Sequence, residues 1–246
     1  MTDPAGNWKT YTKDVFGNLT IVTEPNPNSA PPAYSTCAGG AATSNYVSCY
    51  TYNGVGQLTN VELDRDGKSQ TRTFQWGGKN LLSATNPENG TTSYTYDPAG
   101  RVLTRIDAKS QVTSYAYDTY GRLTSVEHFA PGNYPGNPDP VQKVTFYYDS
   151  YNGMVNNTWG RLAAVQFGND CPGDTALDVL YLYTYGYSAA GRVTNQGMQV
   201  SVNQSANGNY TCAPYTVSQT ASFYLSRSGS AGPASAEGCG RRIGDR

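Results

Sequence analysis

The stretch Tyr94-Thr95-Tyr96-Asp97-Pro98-Ala99-Gly100-Arg101-Val102 decides the fold, because its pattern returns along the chain. It recurs 21 residues on as Tyr115-Ala116-Tyr117-Asp118-Thr119-Tyr120-Gly121-Arg122-Leu123. Earlier copies read Tyr50-Thr51-Tyr52-Asn53-Gly54-Val55-Gly56-Gln57-Leu58 and Tyr11-Thr12-Lys13-Asp14-Val15-Phe16-Gly17-Asn18-Leu19. A later one is Tyr185-Gly186-Tyr187-Ser188-Ala189-Ala190-Gly191-Arg192-Val193. Two weaker copies complete the set. Phe74-Gln75-Trp76 stands ahead of Leu81 and Leu82, and Tyr147-Tyr148-Asp149 is separated by an insertion from Gly160-Arg161-Leu162. A fixed period of this kind marks a repeat architecture.

The unit has a mechanical meaning. Asp97, Pro98 and Gly100 occupy the first, second and fourth positions that a type I turn prefers. Glycine accepts the positive φ that closes such a turn into a bulged hairpin. Tyr94 and Tyr96 lie two apart on the incoming strand and so share a face. A second turn precedes the next unit, as in Asp107-Ala108-Lys109-Ser110, Asn86-Pro87-Glu88-Asn89-Gly90 and Asp64-Arg65-Asp66-Gly67. Two strands and two turns account for the period, so each repeat is one hairpin. The predicted fold is all-β: an antiparallel meander of repeated β-hairpins. Each hairpin is stabilised by its neighbours, and equivalent tyrosines are expected to stack in ladders.

Composition agrees. Leu, Ile, Val and Phe number 38 of 246 residues, about 15% against the roughly 20% below which disorder becomes plausible. Disorder also wants high net charge, and here it is −1. The apolar mass has gone into 21 tyrosines, which suit a pleated, half-buried surface.

The same numbers exclude functions. One histidine cannot build a multi-histidine metal site. Seventeen basic and 18 acidic residues, dispersed, provide no basic stripe for nucleic acid. No stretch approaches the length of a membrane-spanning helix, and Met1–Thr10 carries no signal-peptide core. The five cysteines (Cys37, Cys49, Cys171, Cys212, Cys239) include no C-x-x-C pair, which speaks against zinc. Buried free thiols are the plain reading, with one or two disulfides as the alternative.

Candidate chemistry is thin. His128 follows a repeat strand, and a general base there would need a nucleophile and an orienting acid. Asp14, Asp97, Asp118 and Asp149 resemble paired glycosidase carboxylates only in type; their repeat-locked place at the turn start explains them. Asp64-Arg65-Asp66-Gly67 lacks the third acidic position and the distal Glu of a calcium loop. No catalytic residue, cofactor or metal ligand is assigned, and the chain is read as a non-enzyme. The tyrosine pairs are the best binding candidates, as sugar-stacking surfaces or as the glue of the sheet. Arg101, Arg122, Arg161 and Arg192, each after a repeat glycine, are expected to pair with neighbouring acids.

Spacing is uneven. Gly17 to Gly56 and Gly121 to Gly160 each span 39 residues instead of 21. The surplus falls in Pro/Gly-rich stretches near residues 26–43 and 131–140, with a third irregular stretch at 169–175, all expected to be surface loops. The repeat region covers residues 1–224. Residues 225–246, rich in Gly, Ala, Ser and Arg, read as a disordered tail or the out-of-frame end of a longer gene.

The Tyr-x-Tyr-Asp-x-x-Gly-Arg-Leu unit at this spacing resembles the YD repeat of the rearrangement-hotspot (Rhs) family, which includes bacterial wall-associated and polymorphic-toxin proteins. The resemblance covers roughly residues 5–224. It implies a β-ribbon that spirals into a hollow shell around a C-terminal effector, at the cell surface or secreted, with glycans as a further partner class. Six or seven units are too few to close a shell, and the Asp-Pro-x-Gly-Leu self-cleavage segment of the family does not occur. The expectation is an open segment of such a shell, partnered by neighbouring repeats or an enclosed effector. Its unpaired sheet edges are expected to invite self-association.

Overall fold

The computed structural model describes residues 8–25, 45–65, 68–153, 157–168, 179–206 and 209–222. The loops expected near 26–43 and 169–175 and the tail at 225–246 lie outside them. Two compact units emerge, Met1–Val112 and Thr113–Arg246.

In the first unit the strands are β1 (Thr10–Lys13), β2 (Leu19–Pro25), β3 (Asn45–Tyr52), β4 (Leu58–Arg65), β5 (Lys68–Gly77), β6 (Asn80–Asn86), β7 (Gly90–Tyr96) and β8 (Val102–Ile106). Each pairs antiparallel with the next in chain order. β9 (Val112–Tyr117) begins at the boundary. The second unit continues with β10 (Leu123–Phe129), β11 (Val144–Tyr148), β12 (Leu162–Gly168), β13 (Val179–Tyr187), β14 (Val193–Ala206) and β15 (Asn209–Ser222), again in sequence order. One turn of 3₁₀ helix, Pro140–Gln142, is the only helical element among the described residues. The fold is the all-β antiparallel meander of hairpins that the repeat implies.

The hairpins close as turn chemistry dictates. In the central unit the Gly100 N–H donates to the Asp97 carbonyl and the Asp97 N–H to the Arg101 carbonyl, both at 2.9 Å. Gly100 sits at φ +83°, the left-handed conformation that completes a type I turn with a bulge. The extra residue shifts the register, so that Tyr96 faces Val102. The same shift places Tyr52 opposite Leu58, Tyr148 opposite Leu162 and Tyr187 opposite Val193. The weak copy differs in its turn. Gly77 pairs with Asn80 around Gly78-Lys79, a two-residue connection, yet Trp76 still faces Leu81 across a register shift.

The long gap before Gly160 has a local explanation. The Asp149 N–H donates to the Arg161 carbonyl at 3.0 Å, the same closing bond that Asp97 makes to Arg101. Additional residues are thus spliced between the turn aspartate and the turn glycine, with the hairpin closed beneath them. Thr158, buried, donates its hydroxyl to the Asp149 carbonyl and fastens the insert. Residues 130–143 supply the rest of the surplus as turns and the 3₁₀ segment.

Burial is thin and local. In the first unit it centres on Thr23, Val47, Ser48, Cys49 and Asp64; in the second, on Phe129, Ala163 and Ala164. Three consecutive buried residues in β3 mean that both faces are covered there. Cys49 is disulfide-bonded, which corrects the plain reading of free thiols for that residue. Asp64, 1% exposed, leaves its Oδ1 without a hydrogen-bond partner.

Candidate functional site

The chemistry-bearing side chains gather at the repeat turns, and their bonds follow one plan. The first turn residue caps its own turn through a side-chain oxygen. Asp14 Oδ1 accepts from the N–H groups of Phe16 and Asn18, both at 2.9 Å. Asp118 Oδ1 accepts from Tyr120 and Arg122 at 2.9 Å, and Asn53 Oδ1 from Val55 and Gln57 at 3.1 and 3.0 Å. Ser188 makes the weaker equivalent, its Oγ accepting from the Arg192 N–H at 3.2 Å. Such Asx geometry favours Asp and Asn at turn starts.

The residue after the turn glycine completes the station. Arg101 Nε donates to Asp97 Oδ2 and Arg122 Nε to Asp118 Oδ2, each at 2.6 Å. Asn18 Nδ2 donates to Asp14 Oδ2 at 2.9 Å, and Asn53 Nδ2 to Gln57 Oε1 at 2.8 Å. At these four turns the two positions match in chemistry: Asp with Arg, Asp with Asn, Asn with Gln.

These bonds hold the aspartates ionised. Asp14 lies below its ordinary value because the Asn18 side chain and turn N–H groups stabilise the carboxylate. Asp97 is lowered chiefly by the Arg101 N–H and then its guanidinium. At Asp118 partial desolvation opposes the shift, but the Arg122 backbone and side chain outweigh it. Asp149 is lowered first by the Arg122 guanidinium and then by the Gly160 N–H, 2.6 Å from its Oδ1. Arg122 is held protonated by both acids. All four of these turn carboxylates are shifted down, the opposite direction from the raised pKa of a general acid.

Bonds between hairpins form a second plan. The second aromatic of a unit donates to the carbonyl of the leucine at or next to the start of the outgoing strand of the preceding hairpin. Tyr52 Oη reaches Leu19 O at 3.0 Å, Trp76 Nε1 reaches Leu58 O at 2.8 Å, Tyr96 Oη reaches Leu81 O at 2.6 Å, and Tyr187 Oη reaches Leu162 O at 2.9 Å. Burial of the ring pushes the Tyr96, Tyr148 and Tyr187 phenols up. Tyrosine and tryptophan combine an apolar body with a polar tip, and both are used. Lys13 holds the equivalent position in the first hairpin, opposite Leu19.

Ring stacking plays a smaller part than the ladder expectation gives it. The ring pairs seen among the described residues are Phe129 with Tyr134, Tyr147 with Tyr151, and Phe167 with Tyr181 and Tyr183. None of these joins equivalent tyrosines of two units. The first tyrosines Tyr50, Tyr94, Tyr115 and Tyr185 are half-buried, whereas Tyr11 is exposed.

Turn-to-turn bridges make a third plan. Gln57 Nε2 donates to Gly78 O at 2.7 Å. Arg122 Nη1 and Nη2 grip Asp149 at 3.2 and 2.9 Å while the guanidinium lies 4.5 Å from the Tyr148 ring centroid. Arg161 donates to the Asn157 carbonyl at 2.7 Å and sits 5.6 Å from the Tyr187 ring. The expected pairing of arginines with acids therefore holds at Arg101 and Arg122, and Arg161 takes a carbonyl and a ring instead. The Arg192 side chain is in an exposed residue, and its N–H caps the last turn.

The remaining candidates stay apart. His128 Nδ1 lies 3.2 Å from Thr113 Oγ1. Asp64 and Arg65 end β4, and Asp66 and Gly67 lie outside the described residues. Among the described residues no group of three or more His, Cys, Asp or Glu is placed to hold a metal ion, and no helix is long and apolar enough to cross a membrane.

Residues 77–110, which contain the Tyr94–Val102 unit, match the RHS Repeat family model, so the resemblance drawn from the Tyr-Asp units holds and this stretch is an RHS repeat. Two solved structures, TcdB2-TccC3-Cdc42 and TcdB2-TccC3-TEV, are similar at 13% identity with TM-scores of 0.32 and 0.33. Each likeness covers 92% of this chain and 15% of that one, so the chain spans a small part of their length. A porin-like protein from Bacteroides uniformis ATCC 8492 is similar at 15% identity and TM-score 0.25, over 71% of this chain and 89% of that one. No curated protein matches.

Proposed function

We propose that the chain is a non-catalytic wall segment of an Rhs-type protein, secreted or cell-surface, whose longer form encloses a C-terminal effector. The observation that carries this reading is the recurrent clamp from an aromatic tip to the preceding hairpin's leucine carbonyl, at Tyr52, Trp76, Tyr96 and Tyr187. A clamp repeated at successive hairpins extends a wall without limit and builds no single site. Its partners are further repeats, and an unmatched edge pairs with another chain. Electron microscopy of the product of the complete gene tests the reading. A hollow particle whose downstream segment resists protease is expected; a solid rod with a freely digested downstream segment overturns it.

A second reading, adhesion or glycan binding, is favoured by the aromatics at the turn tips. Tyr120 is 80% and Trp159 83% exposed, and such rings stack on sugar faces. A glycan array compared with the Trp159→Ala variant separates the two. Absence of any glycan signal from folded protein removes the second reading and leaves the first.

A further inference from the structure

At the first turn of the first unit no turn-to-turn bridge is seen among the described residues, and the cause is the length of one side chain. After Gly56 a glutamine reaches the next turn, and after Gly121 and Gly160 an arginine does so. After Gly17 the residue is Asn18, whose short side chain is spent on Asp14 of its own turn. Between this turn and the next a groove of about 630 Å³ opens. Among the described residues its walls include Asp14, Phe16, Asn18, Tyr50, Tyr52 and Asn53.

The same positions in the second unit hold a guanidinium. Asp118, Tyr120, Tyr148 and Asp149 surround Arg122, with the Tyr120 and Tyr148 ring centroids 5.1 and 4.5 Å from its central carbon. Counted from the turn start, Asp14 corresponds to Asp118 and Phe16 to Tyr120. On the following hairpin Tyr52 corresponds to Tyr148 and Asn53 to Asp149. The strands beneath correspond too, since β2 pairs with β3 as β10 pairs with β11.

We infer that this groove is a receptor for an arginine side chain of a polypeptide partner, held between Phe16 and Tyr52 with its guanidinium against Asp14. The charge is complementary, because the Asn18 amide and the turn N–H groups keep Asp14 ionised. A planar guanidinium stacks on aromatic faces and forks toward a carboxylate in a way that an ammonium does not. Asn53 replaces the second carboxylate, and its carbonyl is already engaged by Val55 and Gln57. One full charge pair remains where Arg122 has two. The groove therefore binds reversibly, as suits a partner that docks and leaves. Phe16 is 87% and Val55 79% exposed at the rim, apolar surface that the partner's flanking residues would cover.

The test is an NMR titration of the full chain with acetyl-Gly-Arg-Gly-amide, its lysine counterpart and a neutral disaccharide. Saturable shifts are expected with the arginine peptide, weaker by about tenfold in Asp14→Asn, as fits the loss of one charge-assisted contact. The lysine peptide is expected to bind more weakly. Asn18→Arg supplies the guanidinium in cis, so it is expected to abolish peptide binding and raise the thermal midpoint. Unchanged peptide binding in Asn18→Arg overturns the inference, as does a disaccharide that binds as well as the arginine peptide. Should Asp14→Asn unfold, the Asn18→Arg result and the loss of binding at high salt decide.

Discussion

The Tyr96 hydroxyl donates to the main-chain carbonyl of Leu81 at 2.6 Å, fastening one hairpin to its predecessor. Tyr96→Phe removes that bond and leaves the ring in place. A net hydrogen bond of this kind contributes about 1 kcal/mol, and the carbonyl it leaves is half-buried. Denaturant unfolding is expected to show a loss of about that size, with the slope unchanged. Tyr94→Phe, two residues earlier, is expected to have little effect. Equal losses at both positions would remove the clamp from the account.

Backbone strain offers a prediction of opposite sign. The turn Asp107–Gln111 closes like the glycine turns, with Ser110 donating to Asp107 O at 2.9 Å. Ser110, however, holds φ +61° with a side chain attached, whereas Gly100 holds φ +83° without one. The left-handed region costs an L-residue roughly 1–2 kcal/mol, partly offset by the greater entropy glycine loses on folding. Ser110→Gly is therefore expected to raise the thermal midpoint and Gly100→Ala to lower it. At Gly100 an added Cβ would meet nothing closer than 3.5 Å, so the penalty there is conformational and not steric.

The hairpins were legible because Asp-x-x-Gly turns report their own geometry locally. Asp97, Asp118 and their glycines stand where turn preferences put them. The difference between the two tyrosines of a unit was not legible, because both alternate correctly along the strand. Only the register shift at the bulge, which sets Tyr96 against Val102, gives the second ring its reach to the hairpin before. Trp76 at an equivalent position was the available signal, since tyrosine and tryptophan share a polar tip that phenylalanine lacks. The groove beside Asp14 was hidden for another reason. It depends on Asn18 being too short to cross to the next turn, which matters only once the two turns are adjacent in space.

The disulfide at Cys49 leads to a test in the first unit. Cys49 is buried in β3 beside Val47 and Ser48. Cross-links stabilise chiefly by restricting the unfolded chain, typically by about 2–4 kcal/mol. Reductant is expected to lower the unfolding midpoint of the native protein, and Cys49→Ala to reproduce the loss without reductant. Unchanged midpoints in both would mean that the bond adds nothing to the buried cluster. Thiol counting in denaturant, before and after reduction, checks that the bond was present.

Arg122 ties stability to acid. Asp118 and Asp149 both have pKa values below the ordinary 3.8 in the folded protein, through their bonds to Arg122 and to turn N–H groups. A lowered folded value means that the unfolded chain binds protons first as pH falls. The stabilisation is thus complete above the unfolded value near 4 and is lost as pH drops through the folded values. Arg122→Gln keeps a polar side chain but removes the charge that both carboxylates share. Its thermal midpoint is expected to fall below that of the parent at pH 6 and to converge with it toward pH 2. Arg122→Lys keeps the charge without the planar fork that spans Asp118 and Asp149, so it is expected to lie between the two at pH 6. A gap between parent and Arg122→Gln that stays constant from pH 6 to pH 2 would assign the residue's effect to packing on Tyr148 and not to the carboxylates.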